Sequence, residues 1–193
     1  MRGDVTESFA IAIVPLIFYF ALKLIKKGEV KYITFLSISL GLFLTSHNIM
    51  ILLFMPPFFA VVLYWLISQG KKNFRKLMLS FLIGTGLAAF FIIPAYFEKN
   101  LVQIENLIRL DLDFRAHFVT INQLFFNRTW DYGASVPGPN DTISFQIGWP
   151  HWWLVILAAI TLIFGIKKEK KATFNFALLL LGIFLYSIFM THI

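Results

Sequence analysis

Six stretches of the chain are apolar almost without interruption: residues 8–25, 32–45, 49–67, 77–97, 149–166 and 173–191. Polar residues fall between these runs rather than alternating within them. A helix needs roughly 17–25 residues to cross the hydrocarbon core of a bilayer. Five of the runs meet that length, while 32–45 is short and reads as a partial span or a misplaced boundary. The pattern predicts an all-α, polytopic transmembrane helix bundle of about six spans. Residues 1–97 would form a four-span bundle, 98–148 a long loop, and 149–193 two further spans.

Composition agrees with that pattern. Of 193 residues, 59% are hydrophobic and 14% charged, and the mean hydropathy is +0.77. Ordinary soluble domains are about 45–50% apolar and about 25% charged. A soluble fold of this length could not hide so much apolar surface, so membrane lipids are the expected partners. The net charge of +7 does not point to nucleic acid, because the basic residues do not interleave with an aromatic docking face. The chain has no cysteine, which excludes disulfides and thiolate metal sites. The first ten residues, MRGDVTESFA, lack a basic leader. Both ends look abrupt, and a fragment of a longer polytopic chain is expected.

Charge placement adds an orientation. Lys23, at the end of the first run, and Lys26, Lys27 and Lys31 mark the junction of the first two runs. Lys71, Lys72, Arg75 and Lys76 lie between the third and fourth, and Lys167, Lys168, Lys170 and Lys171 between the last two. The positive-inside rule puts these turns in the cytoplasm of a multi-pass plasma-membrane protein. The amino terminus and the 98–148 loop are then extracytoplasmic. All four histidines and most carboxylates gather on that outer face, with only Glu29 and Glu169 inside. An impermeant thiol reagent is expected to reach a cysteine at position 135 and not one at position 73.

The 98–148 loop is too rich in aromatic and branched residues to read as disordered. LVQIENLIRLDLDF sets Leu101, Ile104, Leu107 and Ile108 on one helical face, which predicts a short amphipathic helix at the interface. WDYGASVPGPND is a succession of turns. In GWPHWW, Pro150 suits a first helical turn, and the tryptophans suit the membrane boundary.

Several residues carry candidate chemistry. Asp4 and Glu7 share one side of any helix beginning there; they could coordinate a divalent cation or supply a general base, and equally suit the positive end of a helix dipole. LTSHN places Ser46, His47 and Asn48 together at a membrane boundary. One reading is a tight turn with Asn48 capping the next helix; the other has His47 and Asn48 facing an outward cavity that binds an anionic headgroup or a sugar. Arg115, His117 and Arg128 present cations beside aromatics, suited to phosphate or to plain solvation. Pro56 and Pro57 should kink the third run. Ser37, Gly41 and Thr45, with Ser80, Gly84 and Ala88, form small-residue stripes that let helices approach closely. Asn127–Arg128–Thr129 and Asn140–Asp141–Thr142 match the glycosylation sequon. The sequence contains no phosphate-binding loop, dinucleotide fingerprint, HExxH or nucleophile elbow.

Taken in order, RGDVTESFAIAIVPL, LTSHN, IIPAYFEKNLV, HFVTINQLF and WDYGASVPGPNDTISFQIG resemble a family of bacterial polytopic proteins. It is labelled by a 6-pyruvoyl-tetrahydropterin synthase-related membrane domain. By architecture that family is similar to the C-type (GT-C) glycosyltransferases, which use polyprenyl-phosphate-linked sugars at the outer membrane face. The resemblance implies a lipid-linked sugar as partner. On that reading Asp4 or Glu7 is a candidate catalytic base or metal ligand, without inheriting the family's catalytic acid, and Arg2, His47, Asn48, Arg115 and His117 are candidate substrate-binding groups. Trp130-Asp131-Tyr132-Gly133 stands where WGYG is expected. The family's usual catalytic acid belongs to a first outer loop, expected upstream of Met1. A transporter or flippase and a non-catalytic scaffold are the alternatives.

Overall fold

The computed structural model describes residues 5–101, 114–127, 135–138, 143–165 and 171–190. These residues form helices and turns and contain no strand. The chain is all-α, a helical bundle of the membrane type. It divides into two compact units, Met1–Lys99 and Asn100–Ile193.

The first unit contains α1 (Val5–Lys27), α2 (Val30–Ser46), α3 (Asn48–Gln69), α4 (Phe74–Leu87) and α5 (Ala89–Phe97). The links from α1 to α4 are short, so these four helices reverse direction in turn, while α5 follows α4 after a bend. α1 buries Ala10, Ile13, Ile17, Ala21 and Leu24 along one stripe, against Leu36, Leu40 and Phe43 of α2 and Phe58 and Val62 of α3. The opposite faces are just as apolar: Leu16, Phe35, Leu63 and Leu82 are exposed. A helix apolar all round needs apolar surroundings on every side, and here lipid must supply the outer half.

Lipid is as apolar as leucine, so burial alone does not hold such helices together; close packing and interhelical hydrogen bonds do. The small-residue stripes of α2 and α4 form that contact. The Ser37 hydroxyl lies 2.8 Å from its own helix's Ile33 carbonyl oxygen and 3.1 Å from that of Ser80 on α4. Gly84 faces Leu40, and Gly41 faces Leu87. These pairs advance in the same direction along both helices, so α2 and α4 run parallel.

The α1–α2 turn is tied to the α3–α4 turn. Gly28 ends α1 in the left-handed region, at φ 67°, and its N–H donates to the Leu24 carbonyl at 2.9 Å. Asn73 Nδ2 donates to the Ile25 carbonyl at 3.0 Å, and Lys76 Nζ donates to the Gly28 carbonyl. Two carbonyls at the end of α1 that lack helical partners, those of Ile25 and Gly28, are thereby satisfied. Asn73 is buried by this packing. Its closure to reagents thus follows from the fold on either side of a membrane, and it cannot report topology.

The fourth apolar run departs from expectation. It is broken at Ala88, and α4 and α5 meet at 63°. Gly84 and Gly86 weaken the helix before the break, and the Ala88 N–H reaches both Gly84 and Thr85 carbonyls, at 3.2 and 3.1 Å. Pro94 removes a further N–H from the following helix. By contrast, α3 continues as one helix through Pro56 and Pro57.

By length and composition α1 and α3 can each cross a membrane, and the bent α4–α5 pair makes a third span if it counts as one. The count of six is not reached among the described residues. α2 has 17 residues, about 26 Å at the helical rise, short of a hydrocarbon core of roughly 30 Å.

The second unit contains α6 (Ile121–Phe125), α7 (Trp149–Gly165) and α8 (Lys171–Met190), with a 3-10 turn at Phe114–His117. α7 has 17 residues and α8 has 20, and both are apolar over Trp149–Ile160 and Asn175–Phe189. The amphipathic helix expected around residues 101–114 lies almost wholly outside the described residues.

Candidate functional site

The first unit has two chemically distinct ends. One, the Lys end, holds the α1–α2 and α3–α4 turns. The other, the His end, holds the first turn of α1 and the α2–α3 link.

At the His end the LTSHN stretch is satisfied by its own backbone. Thr45 Oγ1 lies 3.0 Å from the Gly41 carbonyl oxygen, and Ser46 Oγ donates to the Phe43 carbonyl at 2.7 Å. His47 is the only residue between two helices, in extended conformation at φ −159° and ψ 119°. Its Nδ1 accepts the Met50 N–H at 3.4 Å. His47 therefore caps α3, and Asn48, the expected cap, is the first helical residue and is exposed. A residue in extended conformation lets its side chain reach back to the third N–H of the helix, which Asn48 with helical dihedrals cannot do.

Glu7 lies in the first turn of α1, half-buried, where the helix dipole favours an acid. It shares the His end with His47 and Asn48. Arg2 and Asp4, its sequence companions, lie outside the described residues, as do Arg128 and residues 130–133 and 140–142. Among the described residues no three His, Asp or Glu side chains gather in a group that could hold a metal ion.

Arg115 and His117 belong to the second unit and share the 3-10 turn Phe114–His117. His117 Nδ1 and Ser135 Oγ are 2.8 Å apart, and the Gly138 N–H donates to the Ala116 carbonyl at 2.9 Å. These bonds hold the 135–138 turn on the 114–117 turn. The predicted site residues thus fall into two groups, Glu7 with His47 and Asn48 in one unit, and Arg115 with His117 in the other.

No family model, no curated protein and no solved structure matches this chain.

α6 is not among the helices expected from the sequence, although its signal is present there. Thr120 and Gln123 form a reciprocal capping box: the Thr120 N–H donates to Gln123 Oε1 at 2.8 Å, and the Gln123 N–H to Thr120 Oγ1 at 3.3 Å. A Thr followed three residues later by Gln before apolar residues is that motif's signature. Gln123 and Leu124 are buried. Gln146 Nε2 donates to the Phe125 carbonyl at 2.9 Å, and Phe125 stacks on Trp152 with ring centroids 4.5 Å apart. Trp152 in turn meets Phe184 of α8 edge-on at 5.8 Å. The polar loop is thereby anchored to two apolar helices.

A recess in the first unit, lined by apolar side chains including Val14, Phe18, Phe43 and Phe58, encloses only about 10 Å³. Ligand sites usually enclose about 300–1,000 Å³ and include polar groups. This recess is far smaller and wholly apolar, a packing gap between α1, α2 and α3 rather than a ligand site.

Proposed function

We propose that this integral membrane protein is the membrane portion of a GT-C-like glycosyltransferase that uses a polyprenyl-phosphate-linked sugar at the extracytoplasmic face. The observation that carries the reading is the separation of chemistry within one bundle: Glu7, His47 and Asn48 lie at one end, and Lys26, Lys27, Lys31, Lys71, Lys72 and Arg75 at the other. The ordered resemblance to the pterin-synthase-related membrane family supports the same reading. In the reaction, an acceptor hydroxyl attacks the anomeric carbon and the bond from that carbon to the phosphate oxygen breaks. Asp4 or Glu7 takes the hydroxyl proton, and Arg2 and His47 offset the charge on the departing phosphate.

One feature favours a second reading. The broken α4–α5 pair is of the kind that lines substrate paths in transporters, and a lipid flippase would use it. The two are separated by supplying the full-length protein, in vesicles, with labelled polyprenyl-phosphate sugar and an acceptor. Covalent transfer that falls by about a hundredfold or more in a Glu7→Gln, Asp4→Asn variant supports the enzyme. Movement of the donor between leaflets without a covalent product replaces it with transport. Absence of both transfer and movement overturns the enzyme and leaves a non-catalytic membrane scaffold.

A further inference from the structure

The Lys end gathers cations from turns that are remote in sequence. Two hydrogen bonds, Asn73 to Ile25 and Lys76 to Gly28, each join residues 48 apart. They set Lys26, Lys27 and Lys31 beside Lys71, Lys72 and Arg75, and all six side chains are exposed. Glu29 is the one acid of these two turns. It is already engaged, at 2.6 Å from Lys31 and 4.0 Å from Lys27. Its carboxyl is held below the usual range chiefly by the Lys31 hydrogen bond, so it stays ionised without offsetting Lys71, Lys72 or Arg75. The fold thus holds like charges together that repel one another until a counter-charge arrives.

Apolar and aromatic groups at the same end identify that counter-charge. Val30 and Phe74 are exposed among the cations. Lys23 and Lys31 lie over the rings of Tyr19 and Tyr32, at 5.3 and 5.2 Å from the centroids. Exposed apolar groups next to cations over aromatic rings match the depth at which hydrocarbon meets headgroup. A soluble polyanion would meet the cations but leave Val30 and Phe74 uncovered. We propose that the Lys end of the first unit is a docking surface for the headgroups of anionic phospholipids, held on Lys71, Lys72 and Arg75 with Lys26 and Lys27 alongside. This does not depend on the sugar-transfer reading. It explains why the two turns are pinned together: the charge density of one turn is modest, and the pair doubles it.

The test uses the full chain in bilayer discs of phosphatidylcholine with rising fractions of phosphatidylglycerol. Two quantities are read: the thermal unfolding midpoint and the immobilised fraction of spin-labelled phosphatidylglycerol relative to labelled phosphatidylcholine. The midpoint should rise with phosphatidylglycerol, and added salt should weaken the rise. A Lys71→Gln, Lys72→Gln, Arg75→Gln variant should lose the preference by about tenfold or more. Lys99→Gln, after α5 and outside this end, should keep it. The proposal is overturned if the triple variant, with an unaltered midpoint in phosphatidylcholine alone, retains the preference. It is equally overturned if inorganic phosphate in phosphatidylcholine discs reproduces the stabilisation. Should the triple variant fail to fold, the unaltered chain decides: a preference indifferent to salt refutes it.

Discussion

Gly84 of α4 lies so close to Leu40 of α2 that a β-carbon on the glycine would stand 2.8 Å from Leu40 Cβ and 3.0 Å from the Ser37 carbonyl oxygen. The second neighbour is backbone and cannot swing aside. Gly84→Ala should therefore push the two helices apart and lower stability by about 1–3 kcal/mol. Gly86, two residues on, has nothing within 4 Å of its notional β-carbon. Gly86→Ala should be neutral or stabilising by up to about 1 kcal/mol through helix propensity. Unfolding midpoints of the two variants in one detergent check the contrast, and equal effects would contradict the close packing of α2 on α4.

Gly28 and Asn73 make a coupled pair. A β-carbon on Gly28 would meet Asn73 Oδ1, and the glycine's φ of 67° is itself unfavourable for alanine. Gly28→Ala should cost about 1–3 kcal/mol. Asn73→Ala should cost about 1–3 kcal/mol because the Ile25 carbonyl loses its partner. Together they should cost less than the sum, by about 0.5 kcal/mol or more, since the second change makes room for the first. A double-mutant cycle measures this directly.

His47 separates structure from chemistry at the His end. His47→Ala removes the cap of α3 and should lower stability by about 0.5–2 kcal/mol, whereas His47→Asn keeps an acceptor in cap position and should recover most of it. If His47 also meets a substrate phosphate, the asparagine variant will fold like the parent yet transfer sugar poorly. Parallel thermal and activity measurements on both variants distinguish a cap from a ligand.

The Glu29–Lys31 pair gives a pH signature. The folded-state value of Glu29 lies below its ordinary 4.5, so the unfolded chain binds more protons across the window between them. The contribution is fully present above about pH 4.5 and is lost as the pH falls through the lower, folded-state value. Both side chains are substantially exposed, and exposed pairs contribute little. A small stability difference between the parent and Glu29→Gln should exist at neutral pH and vanish in acid; an undiminished difference in acid would show that the ion pair is not its source.

Orientation is checked with positions chosen from the fold. Lys72 is exposed beside the buried Asn73, and Val136 is exposed beside Ser135, which is held by His117. Lys72→Cys should resist an impermeant thiol reagent in intact cells and react after the membrane is opened, while Val136→Cys should react at once. The reverse pattern would invert the topology and remove the lipid-linked sugar site from the outer face.

The helical class, the locations of the apolar helices and the small-residue stripes could be read from residue order, because each depends on nearby chemistry. Apolar runs mark segments that water cannot accommodate, and Ser37–Gly41 and Ser80–Gly84 mark where helix backbones can meet. Even the capping box of Thr120 and Gln123 was readable, being three residues wide. Other features needed distant residues brought into contact. That Asn73 serves Ile25 rather than its own helix, that His47 rather than Asn48 caps α3, and that α4 and α5 part at Ala88 all depend on how neighbouring helices leave room and on which carbonyls they leave unpaired. Hydropathy sums over a segment and is blind to direction, so it drew 77–97 as one span. The bend is a property of backbone geometry, which Gly84, Gly86 and Pro94 permit and which a hydropathy sum does not register.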